Sequence, residues 1–443
     1  MDSDSAVSNR EAASGGLLPF WIRIRRSTFW MVAVALVLRV GWIIVAHTYR
    51  FKTTDGNFSF GWEMGSIGAS LASGHGFSNP FGAATGPTAW EPPLYPYLIA
   101  GVFHVFGIYS RASAIVLLSI NSVFSALTCI PIFLIGRRMF AEKVAVGAAW
   151  AWVVLPNVMF WCTRAVWETS LSALLVAVAF WLALTMEDRE GWAPWLQFGL
   201  LWGIAALNST SLLSFLPAAG LWAWYRRGKC GKKSLAGVVL ASAVFFACIT
   251  PWLVRNYRTF GQFIFVRDNF EAELRLGNGN GADGTLMLYL DATHDPYAMR
   301  QFQAMGELPY IAMRKRQAVE YIKTDYARFA ELSLRRFVYF WAGPPREAQP
   351  WWLTPAKNSL FLAASVLALW GLGRALRQGQ PGAWLLFWLF LLYPAVYYAV
   401  YSIPRYRVPI EPEMAVLCVF ILTEARKTAT ASRPDRSSPH ESA

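Results

Sequence analysis

Ten apolar runs punctuate this chain, at roughly 29–47, 112–135, 142–161, 169–186, 193–208, 211–225, 234–253, 357–374, 382–401 and 408–424. Each comes close to the about 20 residues that a helix needs to cross the hydrocarbon of a bilayer. Lipid offers no partner to an unpaired backbone amide, so runs of this kind are expected to be helices. With 55% hydrophobic residues over 443 positions, the sequence predicts an all-α polytopic membrane protein of about ten transmembrane helices.

One further run, Pro93 to Gly107 (PLYPYLIAGVFHVFG), is short for a crossing and carries His104 and two prolines, so it reads as a re-entrant or interfacial helix. Charge placement supports leaving it out of the count. The clusters Arg23/Arg25/Arg26, Arg137/Arg138/Lys143, Arg226/Arg227/Lys229/Lys232/Lys233, Arg374/Arg377 and Arg426/Lys427 then share one side, which is expected to be cytoplasmic together with both termini. The net charge of +13 is thereby read as a topology signal beside an anionic leaflet, and no nucleic-acid-binding motif is present. The five cysteines have neither metal-site nor disulfide spacing. No cleavable signal peptide is expected before the first span, and the N-terminus to about residue 18 and the tail beyond Lys427 read as disordered.

This topology divides the chain into a cytoplasmic segment 1–28, a transmembrane module 29–253 that includes an outer loop 48–111, a second outer loop 254–356 of about 100 residues, C-terminal helices 357–424 and a tail 425–443. Short outer segments at 162–168, 208–210 and 402–407 complete that face. In the first loop, Met64, Ile67 and Leu71 recur at helical spacing before Gly74 and Gly76, predicting a short amphipathic helix on the membrane surface with Glu63 in its first turn. In the second loop, GNGNGADG matches no phosphate-binding fingerprint and reads as a tight turn, while Pro309 to Trp341 reads as helical, with Arg335 and Arg336 as interfacial anchors.

The stretch TRAVWETSL places Arg164 and Glu168 four apart, on one face if helical, where a span begins. Ionisable groups at the hydrocarbon boundary are costly, and Glu63, Glu91, Glu168 and several arginines all fall on the outer side. The segment SIPRYRVPIEP adds Arg405 and Arg407, held between prolines and suited to grip a phosphate through forked hydrogen bonds, or to snorkel as anchors.

The order and sidedness of these features resemble the GT-C superfamily of membrane glycosyltransferases, in particular the bacterial protein-mannosyltransferase-like and aminoarabinose-transferase-like families (family 39 type). The resemblance spans most of residues 29–424. It rests on Ile67-Gly68-Ala69-Ser70-Leu71-Ala72-Ser73-Gly74, on Pro92-Pro93-Leu94-Tyr95, on Glu168 before the fourth span, on Pro251, Arg255 and Asn256, and on Arg405 to Pro409. It departs from the family where an Asp-Glu pair usually stands, since positions 60 and 61 are Phe60 and Gly61, leaving Glu63 or Asp55 as the first acid.

The resemblance implies transfer of a sugar from a polyprenyl-phosphate donor to a protein, lipid or glycan acceptor on the non-cytoplasmic face, with inversion, in a bacterial inner membrane. Glu63, or else Asp55, would take the acceptor proton and Glu168 would orient the acceptor or share the proton, with Glu91 and Tyr95 beside it. Arg405, Arg407 and Arg255, with Arg164 in reserve, would stabilise the departing phosphate. No cofactor is required; outer carboxylates permit a divalent cation, though no ligand spacing argues for one. A non-catalytic lipid-carrier-binding protein and a secondary transporter with intramembrane charges such as Arg39 are the competing readings; no internal repeat speaks for the latter.

Overall fold

Every apolar run forms helix in the structure, a computed structural model that describes residues 25–52, 57–232, 235–345 and 353–431. Among the described residues, four helices are long and apolar enough to cross a membrane: Thr28–Val45, Arg111–Met139, Leu235–Phe260 and Thr354–Arg377. A fifth is gained if Glu142–Val154 and Pro156–Arg164, bent by 45°, form one span. The other runs give the shorter helices Thr169–Thr185, Ala193–Asn208, Leu216–Lys229 and the pair Ala383–Leu392 and Ala395–Ala399, and the 21-residue helix Glu411–Ala431, which is not among those long and apolar enough to cross. Local chemistry explains the trimming. The run expected at 211–225 opens as a 3-10 turn, Thr210–Ser214, and becomes α-helical only at Leu216, with Pro217 in the first turn where its missing N–H costs nothing. Pro394 interrupts the run at 382–401.

The bend at Leu155 explains the intramembrane arginine. Pro156 cannot donate to the carbonyl of Trp152, and its ring pushes Leu155 into extended backbone, at φ −62° and ψ 116°. Arg39, fully buried on the first helix, fills the gap. Its Nη2 donates to Trp152 O at 3.0 Å, its Nη1 to Val153 O at 3.1 Å and Ala35 O at 3.2 Å, and its Nε to Ser125 Oγ at 3.1 Å. The charge is thus spent on helix carbonyls and bolts three helices together.

Helix Thr169–Thr185 fixes the polarity of the bundle, with Glu168 at one end and the segment around Glu187 at the other. At the Glu187 end, Arg138 and Arg226 lie 3.0 and 2.7 Å from that carboxylate. Two of the basic clusters therefore converge at the end away from Glu168.

At the Glu168 end, the two long loops form a helical cap. Helix Trp62–Ala72 is present, but it is not a surface helix. Glu63, Met64, Ile67 and Ser70 are buried, because helix Leu94–Phe106 lies against it so closely that a side chain at Gly68 would strike Ile99. The second loop contributes Phe270–Gly277, Pro296–Met305, Glu307–Thr324 and Tyr326–Ala342, the last two separated where the Asp325 side chain caps the Arg328 amide. Glu307 joins the loops by accepting from Thr88 Oγ1 and from the Ala89 amide at 2.5 Å. Arg336, expected as an anchor, is instead fully buried and donates to the carbonyls of Gly277, Tyr398 and Ala399.

Candidate active site

The TRAVWETSL stretch is a break between helices. Helix Pro156–Arg164 ends, Ala165 is extended at φ −144° and ψ 139°, and Glu168 precedes the first turn of Thr169–Thr185. Arg164 and Glu168 therefore do not share a helical face. The break is zipped to the first outer loop, with Val166 N donating to Ser59 O at 2.8 Å. Gly61, at φ +89°, sits so near the Val166 carbonyl that any side chain there would collide with it. These contacts bring the start of helix Trp62–Ala72, with Glu63, up to Glu168.

Between them opens a cavity of about 640 Å³. Its ionisable lining comprises Glu63, Glu91, Glu168, Glu273, Asp291, Arg267, Arg405, His294 and Lys357, and Trp62, Trp167, Tyr397, Tyr401 and Tyr406 provide aromatic walls. Four of the residues singled out in the sequence, Glu63, Glu91, Glu168 and Arg405, thus meet although they lie on four separated segments.

Arg405 stacks on Trp167, its guanidinium carbon 3.6 Å from the ring centroid. Among the described residues, its buried Nε and Nη1 have no acceptor, and neither does Oε2 of Glu168 have a donor. Burial alone would loosen the guanidinium proton, but Glu168 beside it more than compensates, so Arg405 stays charged.

The carboxylates crowd one another. Burial lifts Glu63 well above the ordinary carboxylate range, and the charges of Asp291, Glu91 and Glu273 lift it further. Burial pushes Glu91 up to about 7; Arg267 opposes, at 3.5 Å, while Glu168 and Glu273 add to the rise. Glu273 is raised by burial although it accepts a hydrogen bond from Tyr401, whose hydroxyl in turn accepts from Tyr406 at 3.2 Å. Raised proton affinities of this kind, set by burial and by neighbouring charges in one cavity, are a common mark of functional sites.

Other sequence candidates lie elsewhere. Arg407 is buried two residues from Arg405 but faces away. Its Nε donates to Glu411 at 3.0 Å, its Nη1 donates to Phe361 O at 3.0 Å and Ser365 Oγ at 2.9 Å, and so it fastens helix Leu353–Arg377. Arg255 straps the first loop through Thr88 O at 2.6 Å and Phe77 O at 2.9 Å, with Trp252 against its face. Arg164 is exposed over the Phe160 ring. Tyr95 is fully buried, its hydroxyl donating to Asn121 Oδ1 at 2.6 Å. Asp55 lies outside the described residues. Sequence reasoning missed Arg267, Glu273, Asp291 and the three tyrosines; the Tyr397 and Tyr401 pair, four apart just before Arg405, was the available signal. Among the described residues, no three His, Cys, Asp or Glu side chains are placed to hold a metal ion.

Residues 90–254 match the family model described as dolichyl-phosphate-mannose-protein mannosyltransferase. The apo oligosaccharyltransferase of Archaeoglobus fulgidus superposes with a TM-score of 0.52 at 15% identity, covering 93% of this chain and 53% of its own. The chain has the GT-C fold. It spans about half the length of that GT-C relative. The oligosaccharyltransferase AglB from Archaeoglobus fulgidus, in complex with an inhibitory peptide and a dolichol-phosphate, gives a TM-score of 0.49 at 17% identity over 93% of this chain and 52% of that one. ArnT from Cupriavidus metallidurans, bound to undecaprenyl phosphate, gives 0.37 at 13% identity over 90% and 82%. No curated protein matches the sequence. The GT-C fold and the apolar helices make this a multi-pass membrane protein.

Proposed function

We propose that the chain is an inverting glycosyltransferase that moves a hexosyl or pentosyl unit from a polyprenyl-phosphate donor to an acceptor hydroxyl, at the outer face of a bacterial inner membrane. The observation that carries this reading is the convergence of Glu63, Glu168 and Arg405 in one cavity, with two guanidinium N–H groups of Arg405 unpaired. The matched mannosyltransferase family supports a lipid-phosphate donor.

The chemistry follows from these residues. The acceptor oxygen attacks the anomeric carbon, its proton passes to Glu63, and the bond from that carbon to the phosphate oxygen breaks. A carboxylate whose proton affinity is raised is a stronger proton acceptor, and a positioned base typically contributes about 10² to 10⁴-fold. Glu168 orients the acceptor. The departing phosphate leaves as an anion on Arg405, whose charge needs no rearrangement to receive it. No protonated leaving group is formed, so a second carboxylic acid is not required of the site. Arg407 and Arg255 are engaged in packing and are given no part, and the polyprenyl tail runs between spans beside helix Leu94–Phe106.

The test is release or transfer of labelled sugar from a panel of polyprenyl-phosphate sugars by the purified protein, wild type beside Glu63→Gln and Glu168→Gln. Turnover that depends on both glutamates is expected. Bound polyprenyl phosphate without turnover across a panel of acceptors would instead establish a carrier-binding protein.

A further inference from the structure

Val266, in the loop that follows helix Leu235–Phe260, is held at φ +61°. A β-branched residue is an outlier there, because its side chain crowds the following carbonyl. Arg267 N donates to Phe265 O at 2.7 Å, closing a strained three-residue turn around Val266. The surroundings over-determine this turn. The Val266 carbonyl accepts from Trp252 Nε1 at 2.8 Å and from Asn256 Nδ2 at 3.1 Å, and its side chain is fully buried against Ile67, Phe77 and Trp252. Strain kept in place by its neighbours is a common device of functional sites. Here its effect is to send Arg267 into the cavity, where, among the described residues, its only ionic contact is a loose one with Glu91 at 3.5 Å. The fields of Arg267 and Arg405 both reach Glu91 and Glu273, so the two guanidiniums border one pair of carboxylates.

We infer that Arg267 is a second ligand of the donor phosphate, aimed by the strained turn at Val266, and that Asn256 is a positioning residue that acts through that turn. The inference rests on the polyprenyl-phosphate reading above. Before the donor arrives, Glu91 neutralises Arg267; a phosphate, with more charge and more acceptor oxygens than a single distant carboxylate, displaces it. Asn256 does not line the cavity; its buried amide nitrogen donates to the Val266 carbonyl, and its Oδ1 accepts from Arg255 Nη1 at 3.0 Å.

Undecaprenyl phosphate and undecaprenol are titrated into the purified full-length protein, and the ratio of the two affinities is read. Arg267→Ala is expected to lower the ratio on the order of ten- to a hundredfold, the usual worth of a hydrogen bond to a charged group, with alcohol binding unchanged. Asn256→Ala lowers it in the same direction. Glu91→Gln, which removes the competing carboxylate, raises it. An Arg267→Ala protein with the wild-type ratio, while Arg405→Ala loses its preference, overturns the inference and leaves the donor reading standing. If Arg267→Ala does not fold, Glu91→Gln decides, since an unchanged or lower ratio defeats the idea. A wild type that does not distinguish phosphate from alcohol defeats the donor reading itself and this inference with it.

Discussion

Arg405 offers the most direct measurement of how the cavity treats an anion. Its guanidinium is already desolvated and already oriented by Trp167, with Nε and Nη1 unpaired. A bound phosphate therefore gains two charge-assisted hydrogen bonds without ordering the side chain first. Such bonds contribute roughly 1.5–3 kcal/mol each, and two from one fork are not fully additive, so about 3 kcal/mol is a fair expectation. At about 1.4 kcal/mol per decade, Arg405→Ala should weaken undecaprenyl phosphate about a hundredfold. Arg405→Lys keeps the charge but loses the fork, and an intermediate loss of about tenfold is expected. Affinity is measured by calorimetric titration in detergent, with thermal denaturation of each variant as a check on folding. Because removal of Arg405 also strands Glu168, the double variant with Glu168→Gln is included. It should recover stability without recovering affinity. Both single variants binding within threefold of wild type would refute the argument that this arginine receives the phosphate.

Glu63→Gln is expected to abolish sugar transfer while donor affinity stays within threefold, a split read by comparing turnover with equilibrium binding. Glu91, at about 7 in the folded protein against 4.5 for a free glutamate, binds its proton more tightly when folded. Its contribution to stability is therefore complete below pH 4.5 and is lost as pH rises through 7, a change of about 3 kcal/mol at 1.36 kcal/mol per unit. Glu91→Gln should flatten the fall in apparent melting temperature between pH 5 and pH 8, and an unaltered slope would count against this burial. Arg39→Leu leaves the Val153 carbonyl without its Arg39 donor and the Trp152 carbonyl with only the long bond from Leu155 N at 3.4 Å, and a loss of roughly 2–4 kcal/mol is expected by denaturant titration, with turnover per folded molecule unchanged.

The helical runs were legible because hydrophobic length is a property of the chain itself. Glu63, Glu91, Glu168 and Arg405 were legible as members of one site because sidedness sorts charges before any contact is known. What the pattern did not contain was rotation. Arg405 and Arg407 look like twins in R-Y-R, yet the segment Pro404–Ile410 is a 3-10 helix, in which residues two apart face in different directions. One arginine enters the cavity and the other locks a helix. The aim of Arg267 depends on a strained φ at Val266 imposed by Trp252 and Asn256, and valine carries no local preference for it. Helix Trp62–Ala72 was correctly periodic, but its burial depends on Gly68 admitting a partner helix, which is a tertiary fact.

The cavity draws its charges from segments that leave the ribosome at very different times. Glu63 emerges early, Glu91 and Glu168 follow, and Arg405 comes from the turn that precedes the final helix. Until that turn is made, Glu168 has no Arg405 guanidinium beside it. On the reading proposed above, the site would lack its phosphate-receiving Arg405 until the segment Pro404–Ile410 had docked, so sugar transfer would also report the insertion of that segment.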